Sequence, residues 1–271
     1  ATFQARGCGM TSSGLRHHFG LAALTKTLAV SVSIMAWLLL ATGYGVAEPK
    51  GCFGTALVFA VDASGSVDDV EYVLQMGGLS HALRDPEVAS AVQSAGGVAL
   101  AAVIWSDTAV GTSIVGWQAV RNSQDIDRFA RLIEGLPRSG GGSTEMGHGI
   151  TQALDLLDDP GLCAMRRVID VSGDGKETLY PRRRHGVPVL SARKRAEEAG
   201  VVINGLAIVD EEADLEEYYR SQVIAGAAAF VIVADSFADF ATAMRAKLLR
   251  EITPVNQAQL GRPGSDGERP N

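Results

Sequence analysis

Residues 61–66 read VDASGS and directly follow the apolar run ALVFA at 56–60. Asp62, Ser64 and Ser66 occupy alternate positions, and in extended chain side chains two apart project to the same side. Gly65 lets the backbone turn sharply between the two serines, so all three side chains can converge on one point. One carboxylate and two hydroxyls make a hard, all-oxygen donor set. That chemistry suits Mg²⁺ or Mn²⁺ rather than zinc, which prefers His and Cys. The triplet alone is equally compatible with an Asp that caps the next helix while the serines form turn hydrogen bonds. Two further segments carry matching donors: SGGGSTEMGHG at 139–149 delivers Thr144 at a helix start, and RRVIDVSGDG at 166–175 delivers Asp174 at the end of a strand.

Bringing these donors together requires a particular architecture. Short apolar runs alternate with amphipathic stretches, the pattern of a parallel sheet covered by helices on both faces. Strands are expected at 56–61, 98–105, near 113–116, 167–171, 201–208 and 229–233, with helices at 69–83, 124–134, 144–157, 189–199, 215–223 and 237–250. The predicted fold class is therefore α/β, a doubly wound, mostly parallel six-stranded sheet. Pro86, Pro137, Pro160 and Pro188 fall at joints between elements, where proline is tolerated. In open sheets of this kind ligands bind at the C-terminal edge of the strands, which is where Asp62 and Asp174 would stand.

With these segments in place, the sequence resembles the von Willebrand factor type A domain. Its metal-ion-dependent adhesion site consists of D-x-S-x-S, a distant Thr, and a distant Asp followed by Gly. Carried over residue by residue, the resemblance assigns metal-ligand roles to Asp62, Ser64, Ser66, Thr144 and Asp174, over a region from about Phe53 to Ile252. The segments RRVIDVSGDG, INGLAI and Tyr218-Tyr219 look more narrowly like a family of bacterial secreted proteins of unknown function with a divergent form of this domain. The resemblance implies a protein partner that offers an acidic residue to the metal. The chain departs from the type A pattern after Asp174, where Gly175-Lys176-Glu177 leads into YPRRRHGVPV. Arg182, Arg183, Arg184 and His185 are candidates for a basic ligand rim on the metal face, or else for a merely solvated loop. Asp170, in an otherwise apolar strand, lies too far from the strand end to ligate and is expected to be paired or hydrogen-bonded. If the type A strand order holds, the strands bearing Cys52 and Cys163 are parallel neighbours. The two cysteines then sit at one level, and a Cys52–Cys163 disulfide is expected.

The remaining features bound the function. Residues 27–47 carry no charge, follow Arg16, His17, His18 and Lys26, and end in the small-residue run Gly45-Val46-Ala47. This is a signal-peptide layout with cleavage expected near Ala47, so the domain (48–252) would be exported to the periplasm or cell exterior. A membrane contact is expected only if the leader stays uncleaved. Three of the 24 basic residues and none of the 31 acidic ones fall in the first 47 positions, leaving 21 bases against 31 acids afterwards. That balance excludes a nucleic-acid binder relying on bulk positive charge. The tail at 253–271 is polar and rich in Gly and Pro, the composition of disordered segments. No G-x-S-x-G, Walker A or dinucleotide-binding loop follows the first strand, and Ser64 stands where a Mg²⁺-dependent phosphotransferase of the haloacid-dehalogenase type would want its general acid. The expectation is a monomeric, non-enzymatic binding module. The alternatives are a Mg²⁺-dependent hydrolase or phosphatase with an unrecognised acid/base, or a type A domain that has lost its metal.

Overall fold

The computed structural model describes residues 51–178 and 186–253. It contains six strands, β1 (Phe53–Asp62), β2 (Val98–Trp105), β3 (Ser113–Val120), β4 (Ala164–Gly173), β5 (Val202–Ile208) and β6 (Val231–Ala234). The helices are α1 (Asp69–Leu83), α2 (Pro86–Ser94), α3 (Ser123–Glu134), α4 (Met146–Leu157), α5 (Val189–Ala199), the single turn α6 (Leu215–Tyr218) and α7 (Phe240–Ile252). A π-helical turn, Tyr219–Val223, continues directly from α6. The sheet order is β3-β2-β1-β4-β5-β6. All pairings are parallel except β2 with β3 at the edge. The doubly wound α/β class read from the sequence is therefore the fold. Among the described residues no helix is long and apolar enough to cross a membrane.

The central strands are buried on both faces, which is why β2 (VALAAVIW) is continuously apolar rather than alternating. Leu57, Phe59 and Val61 pack on one side with α1, α2, α3 and α7. Ala56, Val58 and Ala60 pack on the other with α4, α5 and the π turn. The small side chains on this second face let α4 lie close over the sheet.

Several elements differ from the sequence reading, among them β3, which runs Ser113–Val120 rather than near 113–116, and α7, which starts at Phe240 rather than 237. Pro86 does not merely join two elements; it is the first residue of α2, whose cap is the Asp85 carboxylate accepting from the Glu87 and Val88 amides. Proline at a first helical position loses no hydrogen bond, because that N–H has no intrahelical acceptor. Only Val88 and Val92 of this helix are buried, so its apolar signal is short. The 144–157 helix begins at Met146, leaving Thr144 in the loop before it. The 215–223 helix changes from α to π at Tyr219.

The Cys52–Cys163 disulfide is present, with 4.7 Å between the Cα atoms. Register explains it: Phe53 pairs with Ala164 across β1 and β4, and the Phe53 amide donates to the Cys163 carbonyl at 2.9 Å. Asp170 is likewise paired, as burial demands. Lys247 of α7, fully buried, places Nζ 2.5 Å from Asp170 and 2.9 Å from Glu251, while Asn204 donates to Glu251 at 2.7 Å. The network ties α7 to β4 and β5.

Candidate functional site

At the C-terminal edge of β1 the chain leaves the sheet and loops through Ala63–Val67 into α1. The Ala63 amide donates to the Trp105 carbonyl at 2.8 Å, extending the β1–β2 pairing to the loop. Asp62 is fully buried; its Oδ1 accepts the Ser64 amide at 2.7 Å, and its Oδ2 has no hydrogen-bond partner. The helix that follows is capped by Asp68, in a capping box with Glu71, and not by Asp62. The capping alternative for Asp62 is thereby removed, although its turn hydrogen bond is present.

The expected donors are brought together. Thr144 Oγ1 donates to Ser64 Oγ at 3.2 Å, Ser64 and Ser66 hydroxyls lie 3.3 Å apart, and Ser66 Oγ donates to Asp174 Oδ1 at 2.8 Å. A continuous chain of oxygens thus runs from the 139–144 loop through the β1 loop to the end of β4. Gly175 borders this edge: a Cβ there would stand 3.9 Å from both Ser66 Oγ and Thr144 Oγ1, in ordinary contact. Only two carboxylates take part, and among the described residues no group of three or more His, Cys, Asp and Glu side chains is arranged to hold a metal ion.

Electrostatics at this edge are unfavourable for the bare carboxylates. Burial, and then the neighbouring Asp174, push Asp62 up to about 8. Burial also raises Asp174, against the lowering effect of the Ser66 hydrogen bond. Beside them Tyr219 is raised well above the ordinary tyrosine range, chiefly by burial.

Supporting residues, most of them not singled out by sequence reasoning, hold the loops in place. Asp107, just past β2, accepts from the Ser143 hydroxyl at 2.9 Å and the Ala109 amide at 2.8 Å. Gly142, at φ +73°, passes so close that a Cβ would lie 2.7 Å from the Asp107 carboxylate. Gly65 donates to the Gly142 carbonyl at 3.0 Å, an approach that a side chain at 65 would obstruct. Arg138 donates to the Ser64 and Val67 carbonyls at 3.3 and 2.5 Å and pairs with Asp69 at 3.1 Å, clamping the serine loop from outside. Thr178 Oγ1 accepts the Thr144 amide at 2.8 Å. Glu177, in the segment where the sequence departs from the type A pattern, accepts from Gly147 and Val189, each at 2.9 Å. A carboxylate at the N-termini of α4 and α5 is favourably placed against both helix dipoles. The strand-end position of Asp107 was the one available signal; the others are set by loop packing. Arg182, Arg183, Arg184 and His185 lie outside the described residues.

Sheet order, the antiparallel edge strand and a donor cluster at the β1/β4 strand ends define the von Willebrand factor type A fold. The chain belongs to the family described as Protein of unknown function (DUF1194), whose model matches residues 52–256. Similar solved structures include the pilus adhesin SpaC from Lactobacillus rhamnosus GG, at TM-score 0.54 and 14% identity over 75% of this chain. Proximal thread matrix protein 1 from the mussel byssus aligns at 0.53 and 15% identity over 74%. The vWF domain of the type V pili tip protein Mfa5 from Porphyromonas gingivalis aligns at 0.52 and 10% identity over 80%. The chain spans 31% of the pilus adhesin and 47% of the mussel protein, but 99% of the Mfa5 domain. One structure of the mussel protein, at TM-score 0.50 and 14% identity over 74% of this chain and 46% of that one, is described as having a zinc-occupied MIDAS motif. Among curated proteins none matches.

Proposed function

We propose that this protein is an exported protein-binding module that holds a divalent cation, Mg²⁺ or Mn²⁺, at Asp62, Ser64, Ser66, Thr144 and Asp174. The observation carrying this reading is the hydrogen-bonded chain of oxygens from Thr144 through Ser64 and Ser66 to Asp174, beside a buried carboxylate oxygen of Asp62 with no partner. A buried carboxylate without a compensating charge is costly, and a cation supplies that charge. The donors are all hard oxygens, which fits Mg²⁺ or Mn²⁺. With two carboxylates the site leaves coordination to be completed from outside, and an acidic side chain of a partner protein is the group that would do so. Adhesion-type relatives of the same fold, and the zinc-occupied motif of the mussel protein, support binding as the activity.

The disulfide supports an oxidising compartment, in keeping with a signal peptide over residues 1–47. Binding is favoured over hydrolysis by the local chemistry: Ser64, not an acid, follows Asp62 at the second position, and His148 contacts Thr112 rather than the donor cluster. The test is partner capture by the immobilised protein from its own producing cells. Capture should need Mg²⁺ or Mn²⁺, be released by EDTA, and disappear in Thr144→Ala. Capture that survives both EDTA and the substitution contradicts the reading, as does cation-dependent turnover of a generic phosphoester.

A further inference from the structure

Tyr219 has no role in the proposed ligand set, yet the fold makes several accommodations for it. Its ring is fully buried on the α4/α5 face of the sheet. Gly205 of β5 clears a bed for it, since a Cβ there would lie 2.5 Å from Tyr219 Cδ1. The chain reaches it through a π turn that opens at this residue, with the Ile224 amide donating to the Tyr219 carbonyl at 3.0 Å. Such single π turns are uncommon and recur at functional sites.

The phenol ends beside the donor cluster. A Cβ on Gly173 would lie 2.8 Å from Asp62 Oδ2 and 3.1 Å from Tyr219 OH, so the bare glycine leaves room for both oxygens around it. Both atoms are buried and neither has a hydrogen-bond partner. A tyrosine needed only for packing would be better as phenylalanine, because a buried hydroxyl left unsatisfied costs about 1–3 kcal/mol. Here an unpartnered donor and an unpartnered acceptor both border Gly173 without bonding to each other.

We infer that Tyr219 is a positioning residue of the cation site, its phenol O–H turning to the Asp62 carboxylate when the cation is held. The inference rests on the proposed cation site. Partners of this kind fix the orientation of a ligating carboxylate, and their loss commonly weakens metal affinity about 10- to 100-fold.

Titration of the protein and of Tyr219→Phe with Mn²⁺, by calorimetry at constant pH, tests it. The expected result is Mn²⁺ affinity reduced roughly tenfold in Tyr219→Phe, with an ion-free melting temperature no lower than that of the unaltered protein. Equal affinities overturn the inference and leave the cation site standing. A weaker affinity accompanied by a lower ion-free melting temperature also overturns it, since it marks a packing role. Failure of the unaltered protein to bind Mn²⁺ overturns this inference, and failure to bind Mg²⁺ as well overturns the proposed function. A second readout does not depend on the variant folding: Mn²⁺ should perturb the near-ultraviolet absorption of a buried tyrosine in the unaltered protein. An unchanged tyrosine spectrum at saturating Mn²⁺ overturns the inference.

Discussion

Asp62 shows how burial and chemistry combine at the scale of one residue. Its carboxylate is fully inside, one oxygen is satisfied by the backbone, and the other waits on an external charge or the Tyr219 phenol. That Asp62, Ser64, Ser66, Thr144 and Asp174 meet at one sheet edge was legible in sequence, because alternation along a strand, a glycine-rich loop and a strand-terminal Asp-Gly each leave a local trace. Arg138 and Tyr219 were not, since each acts on a segment distant in sequence and no local pattern records such contacts; Asp107 left only its strand-end position as a trace, its partner Ser143 lying 36 positions on. Gly142 carries a prediction at this scale. Its φ of +73° and the adjacent Asp107 carboxylate leave no place for a methyl group. Gly142→Ala should destabilise by about 1–3 kcal/mol in urea unfolding. An unchanged midpoint would contradict the close packing of these two loops.

Among the elements, α7 is held by polar contacts unusual for a buried helix face. One ammonium, Lys247, serves two carboxylates, Asp170 and Glu251, with Asn204 completing the group. Removing the cation leaves two buried carboxylates facing each other, so Lys247→Met should cost roughly 3–5 kcal/mol, measured by chemical denaturation. Burial, with Glu251 adding to it and Lys247 opposing, pushes Asp170 up to about 7. The folded protein then binds more protons at this site than the unfolded chain between about pH 4 and 7, so the site's contribution falls as pH rises through that window. Asp170→Asn should flatten the decline in stability over the same window; an unaltered slope would show that the proton sits elsewhere. The sequence revealed Asp170 as a residue needing a partner but not which one, because Lys247 approaches from a helix 77 positions later. Helix α2 escaped notice for a different reason: two buried valines are too few to set a period against a proline that reads first as a breaker.

For the whole molecule, a doubly wound sheet separates two ends with different tasks. Asp62 and Asp174 stand at the C-terminal ends of β1 and β4, and the Cys52–Cys163 bridge joins the other ends of the same two strands. The adjacency of β1 and β4 and the disulfide were both accessible from sequence once the strand alternation and the type A pattern were combined; the antiparallel course of β3 was not, because strand direction leaves no mark on the residues of a strand. With 111 residues of separation, the bridge should stabilise by roughly 4–5 kcal/mol in the chain-entropy account. Melting under reducing conditions should therefore occur well below melting under oxidising ones, and coincident melts would show that the bridge contributes little.

The central claim is that the cluster at the strand ends binds a divalent cation, and thermal melting tests it most directly. A ligand at a hundredfold excess over its dissociation constant stabilises the folded state by about 2.7 kcal/mol, a rise on the order of 5 °C or more for a domain of this size. The protein in millimolar Mg²⁺ or Mn²⁺ should show that rise over the same protein in EDTA, and Asp62→Ala should show none while melting no lower without ions. A melt that neither ion moves, or one that moves equally in Asp62→Ala, would contradict the account.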